Sequence, residues 1–275
     1  MSEHRAGKEP HKQDLTVRAI QRGLDVLQTV NRLGSARFVD VSKATSIPYP
    51  TVCRIIDTLV DAGMLEREAG RRRFKPTALV QSLSLGFQED DVFVKTAQPV
   101  IAKLCDAVGW PITITTRVGN AMMVRASTHL QTTLTYNNYF PGYTLPLLQC
   151  SVGKVYVAFC SDEERLKIRK SLQKLEEIDP TTALFLRDER AFLKPYRDAG
   201  YGFHTYIEHT KNPGKTSSLA VPIVQDGRLK AAMGLVYFSS AMNTQNAAEK
   251  YVAEMRSACA EITGATAAVT QVGLE

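Results

Sequence analysis

Apolar positions in the first third of the chain fall on helical spacings. Ile20, Leu24 and Leu27 recur at i, i+4 and i+7, and Val30 follows, which predicts one helix face ended by Gly34 and Ser35. Phe38, Val39, Val41 and Ala44 predict a short second helix closed at Thr45 and Ser46. The most regular pattern comes next: Val52, Ile55, Ile56, Leu59 and Val60 form a stripe stopped by Gly63. Pro50 fits this third helix only in its first turn, where a missing N–H has no intrahelical partner. Two short strands follow, 64–68 and 71–75, around a turn at Ala69 and Gly70.

Beyond residue 76 the periodicity changes repeatedly. Thr77–Gly86 and Gln88–Val108 read as helices, the second with Val94, Ala97, Ile101 and Leu104 on one face. Pro111–Arg117, Ala121–Ser127 and Gln131–Asn137 alternate as strands. Helical patterns cover the end of Pro146–Phe159, after Cys150 and Ser151, then Asp162–Leu175 and Arg187–Ala199. Tyr201–Ile207, Ser217–Val224 and Leu229–Phe238 read as three more strands, the last two joined by a hairpin turn at Gln225, Asp226 and Gly227. Asn246–Ala265 reads as a closing helix with Val252, Met255, Cys259 and Ile262 inward. Hairpins flanked by helices predict an α+β domain with an antiparallel sheet.

Charge sharpens this division. The chain has 275 residues and a net charge of +6. Residues 1–80 hold 14 Lys and Arg against 9 Asp and Glu, whereas the remainder holds 20 against 19. The excess positive charge lies beside the three-helix-and-hairpin segment, which is the order of a winged helix-turn-helix that binds double-stranded DNA. The third helix then enters the major groove. Tyr49, Pro50, Thr51, Cys53 and Arg54 lie on its free face, with Thr51 and Arg54 best suited to read bases. Arg71, Arg72, Arg73 and Lys75 in the wing, and Arg18 and Arg22 on the first helix, are suited to phosphates.

Other chemistries find little support. No apolar run is long enough to cross a membrane, and the polar segment 1–16 reads as a disordered tail rather than a secretory signal. The five cysteines are scattered without a CxxC pair, so neither a zinc site nor a disulfide framework is expected, and a reducing cytoplasm is the simplest compartment. No cofactor, metal site or catalytic residue is expected. Gly214, Lys215 and Thr216 resemble the end of a phosphate-binding loop, but position 209 is His209 where that loop needs glycine. His129, His204 and His209 have no partner spacing that marks a catalytic set.

Motifs in both halves resemble the IclR family of bacterial transcription regulators. They are Leu24-x-x-Leu27 in the first helix, Ile47-Pro48-x-x-Thr51 running into Leu59-x-x-x-Gly63, and the wing ending Phe74-Lys75. Gly142-x-x-x-Pro146 leading to Gly153-Lys154, Ala199–Gly202 and Ser218–Pro222 add to the resemblance, which covers about 17–268. Tyr49, Pro50 and Cys53 depart from it, since relatives commonly carry polar or basic residues there. Ala121–Arg125 with Thr128 and His129, Leu145–Leu148, and Leu235–Tyr237 with Ser240–Met242 are similar to the branch that activates 3-hydroxyphenylpropionate catabolism.

The residues thus give a tail over 1–16 and a DNA-binding domain over 17–76, and the resemblance implies a linker helix over 77–98 and a GAF-like effector domain over 99–268. It places the effector beside Ser151 and Val152, His204 to Tyr206, Ser217 and Ser218, and Gly234 to Tyr237. Backbone N–H groups at a helix start suit a carboxylate, and Tyr136, Tyr139, Phe140, Tyr143, Tyr237 and Phe238 are candidates to wall an aromatic ring. The expected protein is an activator of a catabolic operon answering to a small aromatic acid. It is expected to act as a homodimer or tetramer on a DNA operator, with RNA polymerase a further candidate partner. The alternatives are a repressor answering to a short aliphatic keto acid, and a small-molecule enzyme or sensor with a basic docking domain.

Overall fold

The computed structural model describes residues 17–84, 91–136, 139–175, 177–205 and 214–272. The expected tail over 1–16 lies outside them. Contacts divide the chain into two compact units, Met1–Gln88 and Glu89–Glu275.

The first unit contains α1 (Arg18–Leu33), α2 (Phe38–Thr45), α3 (Tyr49–Asp61) and the antiparallel pair β1 (Leu65–Arg67) and β2 (Phe74–Pro76). Gly34, at φ 70°, ends α1, and Ser46, at φ 56°, ends α2 in the left-handed region. Pro50 falls in the first turn of α3, as its missing N–H requires. Val26, Val30, Val41, Val52, Ile56, Leu65 and Phe74 fill the core. Two details differ from the pattern-based expectation. Ile20 and Leu24 are 62% and 51% exposed, because only the C-terminal half of α1 meets the other elements, through Val26, Leu27 and Val30. The segment after the wing is a 3₁₀ helix, Ala78–Ser84, rather than an α-helix. Thr77 tightens its start by donating to the Gly63 carbonyl at 2.5 Å and accepting from the Leu79 N–H at 3.2 Å.

The second unit is built on a six-stranded antiparallel sheet in the order β5-β4-β3-β8-β7-β6. Its strands are β3 (Ile112–Val118), β4 (Ala121–Ser127), β5 (Thr144–Pro146), β6 (Gly202–His204), β7 (Thr216–Gln225) and β8 (Arg228–Phe238). Helices α4 (Asp91–Val108) and α9 (Thr244–Val272) cover one face. Helix α5 (Ser151–Phe159) covers the other, backed by α6 (Asp162–Leu172), α7 (Pro180–Arg187) and α8 (Glu189–Ala199). Strand alternation sorts the side chains. Ile112, Ile114, Leu219, Val221, Met233 and Leu235 face α4 and α9, whereas Ala220, Ala232 and Val236 face α5. One extra residue in β4, Arg125, lies between the pairs Ile114–Ala126 and Thr115–Val124. This bulge moves Ala126 to the α4 side while Met122 and Val124 stay on the α5 side. The chain's one tryptophan, Trp110, enters the α4 side and donates its indole N–H to the Tyr251 hydroxyl at 3.1 Å.

The β7–β8 hairpin turns through Asp226 and Gly227, both at positive φ, as a two-residue primed turn requires. The expected strand at 131–137 does not form over its described part, 131–136. Thr132 donates to the Gly109 carbonyl at 2.6 Å and accepts from the Leu134 N–H at 3.1 Å, so local side-chain bonds replace a ladder. The strand expected over 201–207 is limited to Gly202–His204, and residues 206 and 207 are outside the described set. The N-terminal helix-turn-helix and C-terminal α+β unit are the fold class expected from the sequence.

Candidate nucleic-acid interface and effector pocket

In the first unit, α3 presents Tyr49, Pro50 and Arg54 to solvent, with Thr51 and Cys53 half-buried beside them. Phe38 fixes the start of this helix by meeting Tyr49 edge-on at 6.0 Å and Phe74 at 4.5 Å. The wing is pinned to the same helix: Arg67 donates to Asp57 at 2.6 Å and lies 5.3 Å above the Phe74 ring. The Tyr49 phenol is held above its ordinary pKa, first by its hydrogen bond with Cys53, while nearby Arg72 acts in the opposite sense. Recognition helix and wing therefore converge on one surface.

The basic residues on that surface differ in freedom. Arg73 gives two donors to Ser35, reaching its hydroxyl at 2.8 Å and its carbonyl at 2.7 Å. Lys75 pairs with Glu66 at 2.9 Å. Arg54, Arg71 and Arg72 are exposed and form no ion pair among the described residues, and Arg18 and Arg22 are exposed on the first turns of α1. The sequence pattern did not single out Arg67, whose role in setting the wing depends on a partner ten residues away.

In the second unit a pocket lies between the sheet and the start of α5. Thr113, Ser218, Gly234 and Val236 form its floor, from three neighbouring strands, and Cys150, Ser151 and Val152 form its roof. Tyr139 and Leu145 close its sides. Two glycines permit this approach. A Cβ on Gly234 would stand 2.8 Å from Val152 Cγ1, and one on Gly153 would stand 1.7 Å from the Leu147 carbonyl oxygen. The cavity volume is ≈ 20 Å³. Burial pushes the Cys150 thiol up to about 12, and the N–H groups of Gly153 and Val152 are directed at its sulfur.

Six expected residues, Tyr139, Ser151, Val152, Ser218, Gly234 and Val236, meet at this pocket. Ser217 and Tyr237 do not. They are cross-strand partners on the other face of the sheet, where Ser217 meets Ser239 at 2.9 Å and Tyr237 donates to Thr244 at 3.4 Å. The strand period puts Ser217 and Ser218 on opposite faces, so both cannot line one cavity. Tyr136 is also displaced from it, 48% exposed and stacked on Phe238 at 4.4 Å. Tyr143 stands behind the pocket, edge-on to Tyr139 at 5.6 Å. His204 sits beside the pocket, cross-strand from Ser218, and Tyr206 lies outside the described residues. Thr113, Leu145 and Cys150 escaped sequence reading. Extending the strand alternation from Ser218 and Gly234 to β3 would have found Thr113.

Among the described residues no group of His, Cys, Asp or Glu has the makings of a metal site, and no helix is long and apolar enough to cross a membrane. Residues 19–69 match the family model described as IclR helix-turn-helix domain, and residues 88–263 match that described as Bacterial transcriptional regulator IclR C-terminal. The curated protein named Probable transcriptional regulator SauR, from Cupriavidus necator, is 23% identical over 252 residues, covering 92% of this chain and 96% of its own. Among solved structures, an IclR family transcriptional regulator from Brucella abortus is 22% identical with a TM-score of 0.62, covering 94% of each chain. An IclR homolog complexed with 4-hydroxybenzoate, from Microbacterium hydrocarbonoxydans, is 20% identical with a TM-score of 0.62, covering 91% of this chain and 99% of its own. The chain belongs to the IclR family: it is a DNA-binding transcription regulator, not an enzyme, with an effector-binding domain C-terminal to its helix-turn-helix.

Proposed function

We propose that this regulator activates a catabolic operon when a small aromatic carboxylate binds beneath α5. The observation that carries the effector class is the pocket's make-up: an apolar enclosure of Tyr139, Leu145, Val152 and Val236 with the Ser151 and Ser218 hydroxyls at hand. The 4-hydroxybenzoate in the Microbacterium relative agrees with that class. On DNA, Thr51 and Arg54 read bases, with Tyr49, Pro50 and Cys53 packed against the groove. Arg71 and Arg72 contact phosphates, aided by Arg18, Arg22, Arg73 and Lys75. Two copies act together on a two-fold operator, as homodimer or tetramer, because one winged module offers little contact area. RNA polymerase is the partner that activation calls for. Similarity to the 3-hydroxyphenylpropionate branch supports activation of aromatic catabolism.

The small free volume favours a second reading, in which the ligand is a short aliphatic keto acid and the protein a repressor. Titration calorimetry with benzoate, 4-hydroxybenzoate, 3-hydroxyphenylpropionate, phthalate, pyruvate and glyoxylate separates the two. Gel shifts on the DNA upstream of its own gene, at low salt and with each acid, test the regulatory step. Binding of aromatic acids with a changed shift is expected. Binding confined to pyruvate and glyoxylate overturns the aromatic reading.

A further inference from the structure

Lys154 is the most buried lysine among the described residues, 9% exposed, one helical turn beyond the pocket roof on α5. Its Nζ donates to His204 Nδ1 at 3.0 Å, which fits a neutral imidazole, and lies 5.5 Å above the Tyr196 ring. Cys150, the N-cap of α5, stands four positions back, accepts the Lys154 backbone N–H at 3.1 Å on its carbonyl, and lines the pocket. His204 is the cross-strand partner of Ser218, which also lines it, so both side chains leave the same face of the sheet. The ammonium is thus bracketed by two neighbours of the pocket wall.

No carboxylate pairs with Lys154 among the described residues. Burying an ammonium without an anion is costly, and a methionine would fill the space without that cost. Among the described residues the ammonium has no charged complement, and it stands beside the place where an acid is expected to bind. We infer that Lys154 Nζ, steadied by His204, is the anchor for the effector's carboxylate, which enters between Ser151 and Ser218 as the pocket widens towards it. The inference rests on the effector reading above but not on the aromatic class.

Burial holds the Lys154 ammonium down at about 8, from an ordinary 10.5. Among the described residues the titratable groups facing it are Cys150 at the N-cap of α5, His204 on β6 and Tyr196 on α8. The strands below contribute Thr113, Ser218, Gly234 and Val236, and the single arginine of β3, Arg117, is paired with Glu164. A bound carboxylate favours the charged lysine, so binding takes up a proton just above pH 8 and weakens as pH rises further.

The test uses the full chain, with Lys154→Met and Lys154→Gln checked for folding by circular dichroism. Each acid in the panel above is titrated together with its neutral amide. Acids are expected to lose about 10- to 100-fold in affinity in both variants, the range of a charge-assisted hydrogen bond, while amides change less than about twofold. Calorimetry at pH 8.5 in two buffers of different ionisation enthalpy should register proton uptake for the native chain and none for Lys154→Met. If aliphatic acids alone bind and depend on Lys154, the aromatic reading falls and the anchor stands. If an acid binds the folded variants as tightly as the native chain, or the native chain binds only neutral compounds or none, the anchor is wrong.

Discussion

The proposed recognition surface and the proposed effector pocket are built on opposite patterns of exposure. The surface of α3 and the wing consists of side chains that reach into solvent from a small core, and its ion pairs are exposed and salt-screened. The pocket consists of side chains that solvent hardly reaches, separated by close approaches that only glycine allows. Substitution on the first should alter binding and leave stability almost untouched. Substitution around the second should disturb both together.

The harshest break of that contrast is Gly153→Val. The added carbons have no room beside the Leu147 carbonyl, and α5 must shift from the sheet. We expect a loss of more than about 3 kcal/mol in the stability of the second unit, read from denaturant unfolding. An unchanged midpoint would show that the loop over α5 yields freely.

A double Arg71→Ala, Arg72→Ala variant probes the exposed side. Its melting temperature should stay within about a degree, whereas operator affinity should fall about tenfold or more at moderate salt. The slope of log affinity against log salt should become shallower by about two, one for each phosphate that no longer meets an arginine. Arg73→Ala sharpens the comparison, because its ties to Ser35 make it part of the fold. It should cost about 1 kcal/mol of stability, unlike its two neighbours.

Lys154 gives a pH-dependent effect, absent below about pH 8. Its folded pKa lies below the unfolded value, so the native state holds fewer protons between about pH 8 and 10.5. Native stability should therefore rise across that window relative to Lys154→Met, by at most about 1.4 kcal/mol per pH unit. Asp40 gives the smallest effect, in the acid range. Its hydrogen bonds from the Arg37 side chain and backbone hold it down at about 2. The capping contribution to α2 is complete above about pH 4 and is lost as pH falls towards 2, which the Asp40 carboxyl shift in an NMR titration would follow.

The same contrast explains what the sequence made legible. The three helices and wing were readable because the α3 stripe and its flanking Pro50 and Gly63 are local signals. The face of α1 was misjudged because periodicity ranks Ile20 with Leu27 and cannot tell which half of a helix finds neighbours. Helix α7 was missed although Asp179 caps it and Pro180 opens it, a short-range signature present in the chain. The pocket was half legible. Ser151 and Gly234 could be placed by motif, but Ser217 and Tyr237 required strand register, a relation between segments far apart in the chain. Lys154 was visible as part of a motif, yet its burial without a carboxylate among the described residues exists only in three dimensions.

The bond between Trp110 and Tyr251 has a practical consequence. The chain has a single indole, and it sits in the second unit between the sheet and α9. Its fluorescence will report the unfolding of that unit and is blind to melting of the helix-turn-helix. Agreement between fluorescence and circular dichroism curves would mean that the units unfold together, and a gap between them would measure their independence.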